Sequence, residues 1–197
     1  MRIVSGRWAG RDLTSPGGRV RPTAEALRGV WLDRLETVLD GARVVDLFAG
    51  TGALGLEALS RGAATCDFVE NGRGALHALK ANVARFRLKK RTRVFRRDAF
   101  SYVESLGERT YDLCLADPPY TSSLAERIAR HWFATPFASV LSIEHDAAIQ
   151  LPRPPRGVRR EHFRLDRSAV TIYRARAVSP QAPPRPDDPA SPSSSRT

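Results

Sequence analysis

Apolar residues change their period along the chain. Near the front, Leu27, Val30, Trp31, Leu35, Val38 and Leu39 recur at helical spacing, which predicts one helix from Thr23 to about Leu39, with Thr23 as its N-cap after Pro22. Beyond it, short β-rich runs alternate with helical ones. Arg43–Phe48, Thr65–Glu70, Arg93–Phe95, Tyr111–Ala116 and Val140–Ile143 read as strands. Helices are predicted over Ala53–Ser60, over about Gly74–Arg87 (Leu76, Leu79, Val83 and Phe86 on one face), through Phe100, Val103 and Leu106, and over about Ser122–Trp132. Val158–Leu165 and Ala169–Tyr173 read as two strands joined by a tight turn near Asp166-Arg167. Such alternation predicts an α/β fold: a doubly wound, mostly parallel seven-stranded sheet with helices on both faces, closed by an antiparallel hairpin.

The two ends of the chain read differently. Arg2–Val4 and Arg11–Thr14, with Gly6 and Gly10 between them, predict a small β-hairpin. The expected organisation is therefore an N-terminal hairpin and helix over residues 1–40 packed on the core, an α/β domain over 41–177, and a tail over 178–197. The tail carries six prolines and five serines with almost nothing apolar, a composition that predicts disorder.

Charge narrows the partners. The 197 residues hold 32 Lys+Arg against 21 Asp+Glu, a net charge of +11. All but Lys80, Lys89 and Lys90 of those cations are arginine, a skew that genomic composition explains as well as RNA binding does. A polyanion partner fits the excess, because cations that neutralise phosphates release counterions. No apolar run is long enough to span a bilayer and the first ten residues lack a signal-peptide core, so a cytoplasmic protein is expected. Two cysteines, Cys66 and Cys114, are too few for a disulfide scaffold or a cysteine-rich zinc site, and the four histidines show no metal spacing; no metal is expected.

The chemistry begins after the first strong strand. Gly50, Gly52 and Gly55 fit G-x-G-x-x-G and open a helix, and Glu70 ends the next strand. That spacing alone does not choose between a nicotinamide dinucleotide and S-adenosylmethionine. Acids then fall at or just after the carboxyl ends of four successive strands, Asp46, Glu70, Asp98 and Asp117, the edge where open parallel sheets bind ligands. A basic chain that gathers acids at one edge suits a cationic sulfonium better than a pyrophosphate. Each acid also has a simpler reading as a helix cap, Asp98 before Ala99 most of all.

Asp117-Pro118-Pro119-Tyr120 closes the fourth strand. Two prolines stiffen the turn and remove two donors, leaving carbonyls that, with Asp117, accept from an exocyclic amine. Tyr120 follows as an aromatic on which a base can stack.

Together these residues resemble a known family. Asp46-Leu-Phe-Ala-Gly-Thr-Gly-Ala-Leu-Gly-Leu-Glu57 with Asp117–Tyr120 looks like the class I methyltransferases acting on exocyclic amines. Arg2-Ile-Val-Ser-Gly-Arg-Trp-Ala-Gly-Arg11, Arg21-Pro-Thr23 and Arg28 resemble the bacterial 16S rRNA guanine-N2 methyltransferases, over about residues 1–177. The resemblance implies a Rossmann-like fold, S-adenosylmethionine as cofactor, and methylation of one guanine of small-subunit rRNA, by an expected monomer acting on a 30S subunit or an assembly intermediate. It implies cofactor contacts from Asp46, Phe48, Gly50, Thr51, Gly52, Glu70, Asp98, Ala99 and Asp117, a target-amine site at Asp117, Pro118, Pro119 and Tyr120, and RNA contacts from Arg2, Arg7, Trp8, Arg11, Arg21, Thr23 and Arg28. Gly29 and Asp33 depart from the family's Glu and Asn. Three rivals remain: a DNA adenine or cytosine amino-methyltransferase, a non-catalytic ribosome assembly factor, and a nicotinamide oxidoreductase.

Overall fold

Strand β1 (Arg43–Leu47) lies between β2 (Thr65–Val69) and β4 (Tyr111–Ala116), parallel to both, with Asp46 opposite Phe68 on one side and Leu115 on the other. β3 (Thr92–Phe95) extends the sheet beyond β2, and β5 (Ala138–Asp146) lies beyond β4. β7 (Ser168–Ala175) inserts antiparallel between β5 and β6 (Val158–Leu165), giving the order β3-β2-β1-β4-β5-β7-β6. The order reverses between β1 and β4, and the carboxyl ends of these two strands form the crevice that such a switch point creates. This computed structural model describes residues 1–15, 22–120 and 123–175. Gly17-Gly18, Arg21 and the Pro/Ser-rich tail lie outside the described residues.

Buried apolar side chains cover both faces of the sheet. Helices α1 (Pro22–Asp33), α2 (Glu36–Leu39), α3 (Ala53–Ser60) and α4 (Arg73–Arg85) pack on one face with Val44, Phe68 and Leu113. α5 (Ala99–Glu104) and α6 (Leu124–Ala134) pack on the other with Val45, Leu47 and Cys114. Alternate residues of β1 thus point to opposite cores, as the pleat requires. Both cysteines are buried, and burial pushes both thiols well above their ordinary range, which fits inert core residues.

The single helix expected over Thr23–Leu39 is two. The chain breaks at Arg34–Leu35, where Leu35 N–H donates to the Leu32 carbonyl and Val38 N–H to the Leu35 carbonyl in tighter turns. The Arg34 carbonyl, left out of the ladder, accepts from the Arg174 guanidinium at 3.0 Å. The N-terminal hairpin is reduced to one antiparallel bridge, Arg2 to Asp12, with a 3-10 turn at Gly6–Trp8 between its arms.

Candidate active site

The loop from β1 to α3 follows from local geometry. Gly50 and Gly52 have φ of +55° and +82°, and Phe48 shares that left-handed region at +61°. A Cβ on Gly52 would lie 2.4 Å from Leu79 Cδ1, and one on Gly55 2.5 Å from Phe68 Cε1. These two glycines let α3 close on the sheet. At Gly50 the nearest atom to such a Cβ is 3.9 Å away, so this glycine borders open space where a ligand can approach the backbone.

Carboxylates hold this loop. Asp46 is buried, and its Oδ2 accepts from Gly55 N–H at 2.9 Å. Burial, only partly offset by that bond, pushes its carboxyl up to about 7. Glu70 spans two loops: Oε2 accepts from Gly50 N–H at 2.8 Å and Oε1 from Gly72 N–H at 2.6 Å. Each oxygen keeps a second lone pair that can accept from a further donor. Asp98 caps α5 by accepting from Ser101 N–H at 2.8 Å, which accounts for its position without a ligand; Ala99 behind it is buried.

Asp117 stands at the end of β4 with an exposed surface on the cleft, although protein crowds its carboxyl on the other sides. That crowding, then the carboxylates of Glu144 and Asp46, push it upward, and the solvent it still touches moderates the push. Pro118 is buried and Pro119 exposed. Tyr120 is 37% exposed, and its hydroxyl is fixed by Glu144 Oε1 at 2.5 Å and Ser168 Oγ at 2.6 Å. The ring therefore stands at the rim on a tether to β5 and β7. Open space at Gly50 and a ring of acids fit the sulfonium cofactor expected from the sequence; a cation bound there would relieve the acids' mutual repulsion.

The basic N-terminal segment docks beside the glycine loop. Val4 and Ser5 N–H both donate at 2.7 Å to the buried carboxylate of Glu57. Trp8 N–H donates to Ser60 Oγ at 2.9 Å, and Thr14 exchanges hydrogen bonds with the Asn82 side chain. Asn82 Nδ2 also donates to the Thr51 carbonyl at 2.9 Å. Arg2, Arg7 and Arg11 are exposed here.

Two residues expected at the RNA face turn inward. Arg28 is 6% exposed; its Nη2 donates to the Arg2 carbonyl and its Nε lies 3.5 Å from Glu57. Its charge compensates a buried carboxylate rather than a phosphate. Trp8 is buried against Phe86, with ring centroids 5.3 Å apart, so its ring packs the segment onto the core. Arg21 and the Thr23 side chain lie outside the described residues. Gly29 and Asp33 both meet Arg61, through the Gly29 carbonyl at 3.5 Å and a 2.5 Å ion pair; they attach α1 to α3.

Glu57, Asn82 and Glu144 escaped the sequence reading as site residues. Glu57 is a lone charge in the apolar run Ala53–Ser60, and Glu144 directly follows the strand predicted to end at Ile143, so the rule that found the other acids also finds this one. Asn82 had no such signal. The histidines are not all scattered: His145 and His162 stack at 5.7 Å and share the Thr171 hydroxyl. Among the described residues, no three potential metal-ligating side chains of His, Cys, Asp or Glu gather at one point.

Comparison with known proteins agrees with this geometry. A family model described as "Conserved hypothetical protein 95" matches residues 1–173. The chain is 37% identical over 163 residues to "Ribosomal RNA small subunit methyltransferase D" of Escherichia coli K12, covering 79% of each. It is 32% identical over 186 residues to "Putative rRNA methyltransferase YlbH" of Bacillus subtilis, covering 89% of this chain and all of the other. Among solved structures, "Putative methyltransferase yhhF" from Escherichia coli superposes with a TM-score of 0.79 at 30% identity, covering 90% of this chain and 98% of that one.

Proposed function

The chain belongs to the Conserved hypothetical protein 95 family, and from that membership and the site we propose that it is an S-adenosylmethionine-dependent rRNA methyltransferase whose acceptor is the N2 amine of a guanine in 16S rRNA. The observation that carries this reading is the Asp117–Tyr120 corner beside the glycine loop, with Tyr120 tethered to Glu144 and Ser168. The names of the relatives support the rRNA class of substrate.

S-adenosylmethionine, when bound, supplies a methyl group activated by a positively charged sulfur. Gly50, Glu70, Asp98, Ala99 and Asp117 would hold it, with Phe48, Thr51 and Gly52 shaping the loop and Asp46 fixing the loop from below. Asp117 and the Pro118 carbonyl accept the N–H bonds of the target amine, which aims the nitrogen lone pair and offsets positive charge growing on nitrogen. No strong base is needed, because a methylated ammonium loses its proton readily to water. The Tyr120 ring stacks on the presented guanine. Arg2, Arg7 and Arg11 contact phosphates, which set register but carry no sequence information. The working form is a cytoplasmic monomer acting on a 30S subunit or its precursor. Among the described residues no helix is long and apolar enough to cross a membrane.

The test is methyl transfer from radiolabelled S-adenosylmethionine to 30S particles lacking guanine-N2 methylation, with duplex DNA in parallel and digestion to nucleosides. Label in N2-methylguanosine is the expected result. Label in DNA alone, or cofactor binding without transfer, overturns it.

A further inference from the structure

Basic side chains on a folded surface usually find partners, and several here do. Arg93 pairs with Asp67, Arg97 lies over the Tyr102 ring, Arg127 over Phe100, and Arg130 pairs with Glu126. One group does not. Arg73, His77 and Lys80 stand at i, i+4 and i+7 on α4 and so share a face. With Arg96, just beyond β3, and the apolar wall of Leu76 they line a groove of about 230 Å3. No acidic residue lines it, and α4 carries no acid at all in Arg73–Arg85. None of these four basic side chains has an ion pair or hydrogen bond among the described residues.

Placement adds to composition. The groove lies at the sheet's free β3 edge, and Arg73 directly follows Gly72, whose N–H is held by Glu70. It therefore opens beside the carboxyl edge where the cofactor would sit. Asn82 and Phe86, which hold the N-terminal segment, are on the opposite flank of α4 from His77 and Lys80. The groove is a second basic surface, separate from Arg2, Arg7 and Arg11.

We propose that this groove binds a backbone phosphate of the RNA substrate outside the Asp117–Tyr120 corner, so that the RNA contacts both flanks of α4. This rests on the rRNA methyltransferase reading above. Unpaired cations around a concave surface lose little by taking a phosphate, since no internal ion pair has to break first. The counterions they hold are released on binding, and the affinity gained falls with added salt. The contact carries no base information and acts through substrate affinity.

The test compares the unaltered protein with the double variant Lys80→Glu/Arg96→Glu, binding protein-free, unmethylated 16S rRNA transcript across a salt series. Lys89→Glu/Lys90→Glu serves as control, because it makes the same charge change at exposed positions outside the groove. The expected result is a slope of log affinity against log salt shallower by about 0.7 for the groove variant, the value for loss of one phosphate contact on a single strand. S-adenosylmethionine affinity and kcat at saturating RNA stay unchanged while KM for RNA rises. An unchanged slope, or the same change in the control, overturns the groove contact. Binding needs no turnover, so an unaltered protein that binds the transcript with the expected slopes but never methylates guanine overturns the functional reading alone.

Discussion

Tyr120 and Glu144 meet at 2.5 Å, phenol to carboxylate, across the gap between the corner after β4 and the end of β5. Burial and this bond both push the phenol's pKa up, so Tyr120 stays a donor at neutral pH and its ring is oriented from the far side. Position rather than acid–base chemistry is what Tyr120 brings to the corner.

Separating ring from tether tests that division. Tyr120→Phe keeps the stacking surface and loses the hydrogen bonds, and kcat/KM should fall about tenfold, as one such bond is worth. Tyr120→Ala loses both and should fall by a further factor of about ten to one hundred, the worth of one stacked base. Equal losses in steady-state assays would mean that the ring does not meet the guanine.

Asp117→Ala should lower kcat by about two to three orders of magnitude, the scale seen when one preorganised polar group facing the reacting centre is removed. Affinity for S-adenosylmethionine, read by calorimetry, should stay within several-fold. Near-normal turnover would remove Asp117 from the acceptor role.

Asp46 makes a prediction in pH. Its folded pKa of about 7 lies above the unfolded value of about 4. Between those values the folded state binds more protons than the unfolded one, so the wild-type chain loses stability as pH rises through that window. Asp46→Asn keeps an acceptor for Gly55 and does not titrate. Its Tm relative to wild type should therefore climb by several degrees from pH 4 to pH 7. A constant difference would mean that Asp46 is ionised throughout.

Glu57 sits at the centre of a buried network with Arg28, Arg61 and the N–H groups of Val4 and Ser5. Glu57→Ala leaves the Arg28 guanidinium uncompensated and should cost about 3–5 kcal/mol of unfolding free energy. Arg7 and Arg11 lose their support in the same step, so RNA affinity should fall along with Tm. Chemical denaturation and RNA titration on one preparation check both.

The alternation of strands and helices was legible because each period survives in a single stretch of chain, and the β1–α3 loop because its glycines are required by φ and close packing within a few residues. The break at Arg34 was not, since the group that takes up the Arg34 carbonyl is Arg174, far along the chain on β7. Arg28 shows a subtler failure. It shares the helical stripe of Leu32, Leu35 and Leu39, all fully buried, so its inward direction was written in the period. A motif of arginines near a basic segment outweighed that signal. What the pattern could not supply was the compensating carboxylate, which comes from Glu57 on another helix.

Arg2 is held by Glu25 and Arg28 of α1, but the bonds that seat the rest of the opening segment end on α3 and α4: Val4 and Ser5 on Glu57, Trp8 on Ser60, Thr14 on Asn82. A growing chain therefore releases this segment well before its landing surface exists. Until residue 82 has been made and α4 has folded onto the sheet, Trp8 and the arginines around it hang free in a crowded setting rich in ribosomal RNA. These non-local closures lengthen the path to the native state, and they make late docking of the opening residues the step most exposed to capture by the polyanion on which the chain is being built.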